Sequence, residues 1–136
     1  MDDTVRDALA ITPTSPARDR TVDITTIGRR SGQPRRIETW FYRAGGKIYL
    51  TGLPGRRDWY GNLQANPAFT FHLKHGVRAD LPATARAIVD EAERRPILTE
   101  IVADLNQRGN PARGAQPIDV EAWITGSPLV EVTFDE

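Results

Sequence analysis

Four arginines and two glycines are concentrated in the short stretch TIGRRSGQPRR, which spans residues 26–36 and contains no acidic residue. The arginines are Arg29, Arg30, Arg35 and Arg36. A guanidinium group presents its donors in a rigid fork that suits phosphate and carboxylate oxygens. Backbone amides in a glycine-containing turn can bind the same anion. The stretch therefore predicts a turn that binds an anionic ligand.

Two other interpretations of this basic turn remain open at this point. It is also typical of a solvated hairpin whose charge deters the pairing of exposed strand edges. Nucleic-acid binding is less favoured, because 18 Lys and Arg residues balance 18 Asp and Glu residues and the formal net charge is zero. A general nucleic-acid binder usually carries a basic excess, and no aromatic residues are interleaved with these arginines. We therefore predict no nucleic-acid partner.

The turn lies between strand-like runs in a chain dominated by short connections. Apolar and polar residues alternate in TVDITTI, as in a half-buried strand. Strands are predicted over residues 21–27, 36–43, 47–52, 69–74, 77–89 and 129–134, and helices over 2–10, 58–65 and 90–106. Hairpin connections favour an antiparallel barrel over a βαβ sheet. The predicted fold is mainly β (α+β), with about six strands and flanking helices.

Helix ends are predicted from residues that favour caps. We expect Asp58 to cap the helix over 58–65, and Asn66 to end it in the left-handed conformation before Pro67. Asp90 and Glu93 have the spacing of a capping box.

Other charged and titratable residues are predicted to lie on the surface without a role in the site. Arg94 is expected on a solvated helix face, and His72 on the solvent side of its strand. Neither His72 nor His75 has an acidic or histidine partner at a metal-like spacing in the sequence, so no metal site is predicted.

Length and composition indicate one domain of 136 residues. We divide it into an N-terminal helix and connector over 1–18 and a single barrel domain over 19–136. The absence of cysteine excludes disulfides, thiolate metal sites and a cysteine nucleophile. No apolar run approaches the length that spans a bilayer, and the acidic start of the chain lacks a signal-peptide pattern. These features predict a cytoplasmic protein without stable membrane insertion.

Two motifs in order resemble the deazaflavin-dependent nitroreductase and quinone reductase family. They are TTIGRRSG at residues 25–32 and WYGNLQANP at residues 59–67, the latter followed by the strand-like FTFHL. The resemblance covers roughly residues 20–89 and implies a split β-barrel of the FMN-binding type. Related split barrels usually pair two chains, so a homodimer is expected by analogy.

The resemblance implies coenzyme F420, an 8-hydroxy-5-deazaflavin, as the cofactor. Its phosphate and oligoglutamate tail are polyanionic. The residues implied to contact the phosphate and tail are Arg29, Arg30, Ser31, Gly32 and Arg35. The segment implied to lie along the ring contains Thr51, Gly52, Leu53 and Gly55. Arg56 and Arg57 are expected to add positive charge, and Trp59 and Asn62 to complete the pocket wall.

The chemistry implied by the resemblance is hydride transfer from C5 of the reduced ring to a small-molecule electron acceptor. A quinone, a nitro compound or an unsaturated carbonyl compound would serve as this acceptor. The cofactor carries the reaction, so the protein needs only to bind, orient and exclude water, and catalytic residues stay unassigned.

The chain departs from the family on the acceptor side. Relatives that reduce nitro compounds and quinones have tyrosines in the C-terminal third, whereas this chain has none after Tyr60. Trp123 is a candidate to fill the wall instead. Three alternatives stay open: an FMN-binding split-barrel oxidoreductase, a non-catalytic carrier of an apolar or haem-like ligand, and an interaction module that binds an acidic protein surface.

Overall fold

Six antiparallel strands form a closed barrel in the computed structural model, which describes residues 1–135. The strands are β1 (Thr21–Ile27), β2 (Pro34–Ala44), β3 (Lys47–Thr51), β4 (Ala68–Leu73), β5 (Ala79–Ala87) and β6 (Leu129–Phe134). The helices are α1 (Asp3–Leu9), α2 (Ala17–Arg20), α3 (Asp58–Ala65), α4 (Glu91–Leu105) and α5 (Val120–Gly126). The strand order around the barrel is β1-β2-β3-β6-β5-β4. The predicted fold class and strand number are confirmed.

The barrel interior is filled by alternate residues of each strand. Val22 and Ile24 of β1 point inward and are buried, while their neighbours are only half-buried, because successive side chains of a strand point to opposite faces. Phe71 packs edge to face on Phe41 at 5.5 Å and on Phe134 at 5.2 Å between ring centroids. These apolar contacts set the register that positions the ends of β1 and β2.

A second apolar cluster joins α4 and α5 to the outside of β2 and β3. Leu98, Ile101 and Leu105 of α4 are buried there with Ile124 of α5. The side chains from α4 form its apolar face, and Pro96 lies inside this helix. Helix α5 was not predicted from the sequence.

The N-terminal segment packs on the barrel. Val5 and Leu9 of α1 belong to the same apolar cluster as the barrel interior. The connector ends in the short helix α2, which was not predicted. The buried Arg20 guanidinium donates to the carbonyl oxygens of Thr12 at 2.8 Å and Ser15 at 3.0 Å. These bonds hold the connector against the barrel.

The predicted helix caps are wrong at three places. Arg57, not Asp58, is the N-cap of α3, and it makes no side-chain capping bond. Asn66 is extended, with φ −135°, because the residue before a proline is driven toward extended conformations. Asp90 does precede α4 but caps nothing with its side chain. The Glu93 carboxylate binds Arg86 instead of reaching back to form the box.

None of the helices within residues 1–135 is long and apolar enough to cross a membrane. The same described range contains no group of three or more His, Cys, Asp or Glu side chains arranged to hold a metal ion.

Candidate functional site

The turn between β1 and β2 is closed by hydrogen bonds around two glycines. Gly28 donates to the Gln33 carbonyl and Gly32 donates to the Gly28 carbonyl, both at 2.8 Å. Gly32 has φ +69°, a conformation that glycine adopts without strain. A Cβ at Gly28 would lie 2.5 Å from Ser31 Oγ, so a side chain there would displace the Ser31 hydroxyl. The glycines fix the shape of the turn that carries the arginines.

Asn62 of α3 connects this turn to the barrel. Its Oδ1 accepts from the backbone amide of Arg29 at 3.0 Å and from Arg29 Nη1 at 3.1 Å. Its Nδ2 donates to Thr26 Oγ1 at 3.2 Å. Asn62 is 4% exposed and Thr26 is buried, so the bond between them is made in a low-dielectric environment where an unpaired polar group is costly. The two bonds from Arg29 are partly buried. The site therefore forms where β1 and α3 meet.

The Arg29 guanidinium lies across the first turn of α3. It donates to the Asp58 carbonyl at 3.3 Å, and its Nη2 lies 3.6 Å from Asp58 Oδ1. A Cβ at Gly61 would meet the guanidinium at 3.0 Å. The missing side chain at Gly61 therefore makes room for Arg29.

A cleft of about 440 Å³, here called the smaller cleft, opens between the turn and α3. Six of the predicted site residues line it: Arg29, Arg30, Ser31, Arg35, Trp59 and Asn62. Thr26 and Ile37, which were not predicted as site residues, line it as well. The structure thus brings together the two motifs on which the sequence prediction depended.

Strand register places Arg35 and Arg36 on opposite faces of β2. Arg35 pairs with Thr26 and Arg36 with Thr25 across β1 and β2, so the two arginines point to opposite faces. Arg36 lies outside the smaller cleft, where its Nε is 3.0 Å from Asp23 Oδ2. In residues 1–135 no carboxylate lies within 4 Å of Arg30 or Arg35. Two cations that face the smaller cleft are therefore available to an anion.

A second cleft of about 1280 Å³, here called the larger cleft, lies on the other side of Arg29 and Arg30, which line both. Gly55, Arg56 and Arg57 line it, and so do residues that follow α5.

The loop between β3 and α3 has a fixed conformation beside the larger cleft. Arg57 donates to the carbonyls of Leu53 at 2.9 Å and Arg56 at 3.1 Å. Gly55 donates to the Gly126 carbonyl at 3.1 Å. The loop is thereby tied to the end of α5.

Four predicted site residues line neither cleft. Gly32 and Leu53 are exposed, Gly52 is half-buried, and Thr51 is buried with its hydroxyl donating to the Pro128 carbonyl. Thr51 therefore closes the barrel end against the start of β6.

Arg94 was missed as a functional candidate, and its predicted solvated position is wrong. It is 7% exposed and donates to the carbonyls of Ile88 at 2.8 Å, Ile124 at 2.9 Å, Trp123 at 3.2 Å and Ser127 at 2.6 Å. Burial lowers the pKa of Arg94. The sequence signal was its place four residues before Leu98, on the apolar face of α4.

The predicted solvent exposure of His72 is wrong, although its side chain lies on the face of β4 opposite the buried Phe71. It is 7% exposed, and its Nε2 lies 2.7 Å from Thr25 Oγ1. Its Nδ1 lies 2.6 Å from Asp80 Oδ1, a hydrogen bond that lowers the pKa of Asp80. Asp80 is its register partner on β5. The sequence did not reveal this pair, because the two residues meet only when β4 and β5 pair. His72 therefore links three strands.

Trp123 does not fill a cleft wall. It is 4% exposed and packs in the cluster of α4 and α5. Of the three tyrosines, Tyr60 lines the larger cleft.

A family model and several solved structures are similar to this chain. The model of the family described as F420H(2)-dependent quinone reductase matches residues 8–120. Three of the similar solved structures are a conserved hypothetical protein from Mycobacterium tuberculosis, an F420 reductase, and the heme storage protein HutZ from Vibrio cholerae.

These structures share the fold with this chain at low sequence identity. The M. tuberculosis protein is 18% identical with a TM-score of 0.64, over 100% of this chain and 81% of that chain. The F420 reductase is 16% identical with a TM-score of 0.57, over 85% and 86%. HutZ is 11% identical with a TM-score of 0.62, over 99% and 90%.

Proposed function

The chain belongs to the F420H(2)-dependent quinone reductase family, and we propose that its two clefts divide the coenzyme between them. The protein is an oxidoreductase that uses reduced coenzyme F420. The smaller cleft would hold the phosphate and the start of the oligoglutamate tail. The larger cleft, at Gly55, would receive the deazaflavin ring and the electron acceptor.

The proposal rests on two arginines that line the smaller cleft and form no ion pair within residues 1–135. These arginines are Arg30 and Arg35. Charge-assisted hydrogen bonds to phosphate are short and roughly twice as strong as neutral ones. Each would contribute on the order of 1.5–3 kcal/mol to binding. The site therefore fits the polyanionic part of the coenzyme.

Arg29 has a different proposed role from its neighbours. Asn62 and Asp58 hold its guanidinium, so its charge is fixed between the two clefts. Fixed charge costs little reorganisation when the ligand arrives. Ser31 Oγ already accepts from the Gln33 amide at 3.1 Å, and its hydroxyl hydrogen remains to donate to a phosphate oxygen.

Arg56 and Arg57 would add positive charge beside the ring in the larger cleft. Trp59 would form an apolar wall of the smaller cleft. Thr51, Gly52 and Leu53 would shape the loop that ends in Gly55. Gly32 would act through the turn conformation that it permits.

The bound coenzyme supplies hydride transfer from C5 of its reduced ring. The residues of this chain bind and orient the two reactants and exclude water, since the chemistry belongs to the cofactor. We propose that the acceptor is a quinone, a nitro compound or an unsaturated carbonyl compound, with the family description favouring a quinone.

We also propose that the protein is a homodimer, by analogy with related split barrels. The exposed apolar side chains of Leu53 and Val89 would favour such pairing. Light scattering coupled to size exclusion tests the mass directly. The cytoplasmic location stays a prediction.

Titration with coenzyme F420, followed by its fluorescence, tests the coenzyme site. The double variant R30A/R35A should lose at least about tenfold in affinity, since 1.4 kcal/mol corresponds to a factor of ten. The matched control is R78A/R108A, which removes two exposed arginines outside both clefts. Unchanged affinity in R30A/R35A would exclude the proposed phosphate site.

Parallel titrations with FMN and haemin distinguish the alternatives. A preference for FMN would move the chemistry to the flavin. Binding of haemin alone would support a carrier. Turnover of the reduced coenzyme with menadione should occur in the wild-type protein.

A further inference from the structure

The wall of the larger cleft contains a serine whose buried hydroxyl has no hydrogen-bond partner among the described residues. Ser127 lies directly after α5, lines this cleft and is 4% exposed. Within residues 1–135 its Oγ is the buried side-chain polar atom that lacks a hydrogen bond. Buried hydroxyls in native proteins are nearly always paired, and an exception requires an explanation. The hydroxyl oxygen is itself buried, so rotation of the Ser127 side chain toward the cleft would bring it to a ligand atom, which would provide the missing partner.

Tyr60 presents a second hydroxyl to the same cleft. It is half-buried, and its ring packs edge to face on Trp59 at 6.1 Å between centroids. Nothing in the described part of the chain hydrogen-bonds the Tyr60 hydroxyl. The other two tyrosines, Tyr42 and Tyr49, are buried and line neither cleft. Tyr60 is thus the phenol available to a ligand.

Arg94, whose guanidinium is buried, lines the same cleft as Ser127 and Tyr60. Its Nη2 donates to the Ser127 carbonyl at 2.6 Å, which fixes the backbone that carries the Ser127 hydroxyl. Burial lowers the pKa of Arg94, and an ionised Tyr60 would act in the opposite direction and raise it. Carbonyl groups alone bind this guanidinium, so its charge is not neutralised by a carboxylate in residues 1–135. A fixed cation stabilises negative charge that develops nearby.

Backbone bonding connects these groups to the proposed ring site. The Gly55 amide donates to the Gly126 carbonyl, so the loop proposed to lie along the ring is attached to the residue before Ser127. An acceptor next to the ring at Gly55 would therefore face the segment that carries Ser127.

We propose that Tyr60 donates the proton that completes reduction of the electron acceptor, and that Ser127 hydrogen-bonds the acceptor oxygen. This inference rests on the proposed function. Hydride transfer gives the quinone two electrons and one hydrogen, and negative charge appears on a quinone oxygen. That oxygen takes the phenolic proton as the Tyr60 O–H bond breaks. The phenolate regains a proton from water in the open cleft, and Arg94 is the positioning residue.

Steady-state reduction of menadione by reduced coenzyme F420 tests the assignment. Tyr60→Phe should lower kcat by about 10²-fold, the contribution typical of a general acid, while the Kd for the coenzyme stays within about twofold. Tyr60→His keeps a proton donor and should recover part of the loss. Ser127→Ala should mainly raise KM for menadione. The matched control is Tyr42→Phe, which removes a phenol hydroxyl outside both clefts and should leave kcat unchanged.

Three results separate failure of this inference from failure of the proposed function. Coenzyme binding together with wild-type kcat in Tyr60→Phe overturns the assignment of Tyr60. Equal losses in Tyr60→Phe and Tyr60→His, with coenzyme binding intact, indicate a packing role and also overturn it. Failure of the wild-type protein to bind the coenzyme overturns the proposed function, and this inference with it. Circular dichroism shows whether each variant is folded.

Discussion

The side chain of Asn62 accepts two hydrogen bonds from Arg29, one from its backbone amide at 3.0 Å and one from its guanidinium at 3.1 Å. A third bond, to Thr26, attaches the same amide group to β1. Helix α3 therefore holds the basic turn in one position before any ligand arrives. Pre-organisation of this kind reduces the entropy lost on binding.

Replacing Asn62 by alanine should lower both stability and coenzyme affinity. The change removes the partner of the buried Thr26 hydroxyl and that of the partly buried Arg29 amide. We expect the free energy of unfolding to fall by about 1–3 kcal/mol, measured by urea denaturation. Asn66→Ala, at an exposed asparagine after α3, is the control. Unchanged coenzyme affinity in a folded Asn62→Ala protein would contradict the pre-organisation of Arg29.

Gly61→Ala should separate affinity from stability. Alanine is favoured over glycine inside a helix by about 1 kcal/mol, so thermal stability should be kept or raised. The new Cβ would lie 3.0 Å from the Arg29 guanidinium and displace this flexible side chain. The coenzyme would then lose about one hydrogen bond from Arg29, which should weaken its binding by about threefold to tenfold.

The control for Gly61→Ala is Gly109→Ala, where a Cβ would meet nothing within 4 Å. Fluorescence titration and thermal melting of both variants provide the measurement. Coenzyme affinity equal to wild type in Gly61→Ala would show that the position of Arg29 does not matter for binding.

Arg94→Met should be strongly destabilising. Methionine has similar length but removes the donor that four buried carbonyl groups share. The Trp123 carbonyl keeps its bond from the Ser127 amide. An unsatisfied buried group costs about 1–3 kcal/mol, so we expect a total loss above about 3 kcal/mol in urea unfolding. The neighbouring Arg95→Met is the control.

Arg95 is exposed and forms ion pairs with Glu91 at 2.6 Å and Glu121 at 2.8 Å. Exposed ion pairs contribute little because solvent screens them. Similar losses in the two variants would contradict the proposed importance of the buried carbonyl bonds.

Asp23 should make stability depend on acid pH. Burial raises its pKa, but hydrogen bonds from Lys74 at 2.7 Å and Arg36 at 3.0 Å prevail and hold the pKa of Asp23 below its usual 3.8. A group with a lowered folded pKa stabilises the fold above the unfolded pKa. This contribution is lost as pH falls from about 3.8 through the folded value.

Asp23→Asn should therefore be less stable than wild type at pH 7, and the difference should shrink below about pH 3.8. Urea unfolding from pH 7 to pH 3 measures this. Asp7→Asn is the control, since Asp7 is exposed and forms no ion pair in the described part of the chain. A difference that stays constant over this range would exclude the ion pairs as its source.

Local patterns in the sequence predicted many of the elements. Residues 21–27 were predicted as a strand and 58–65 as a helix, and both have these bounds in the structure. The alternation of apolar residues in β1 depends only on neighbours along the chain. Helix α5 was missed because its buried residues, Trp123 and Ile124, are too few to produce a periodic pattern.

Residue types predicted the candidate site, but they did not predict which of its arginines face a cleft and which form ion pairs or are buried. The sequence alone determined the six-stranded barrel class, the glycine-bounded basic turn and the helix carrying Asn62. Only the tertiary structure decided that Arg35 faces the smaller cleft while Arg36 pairs with Asp23. It also decided that Arg94 is buried beneath the larger cleft. The physical reason is that burial and pairing depend on contacts between residues distant in the sequence, which strand register and helix packing create.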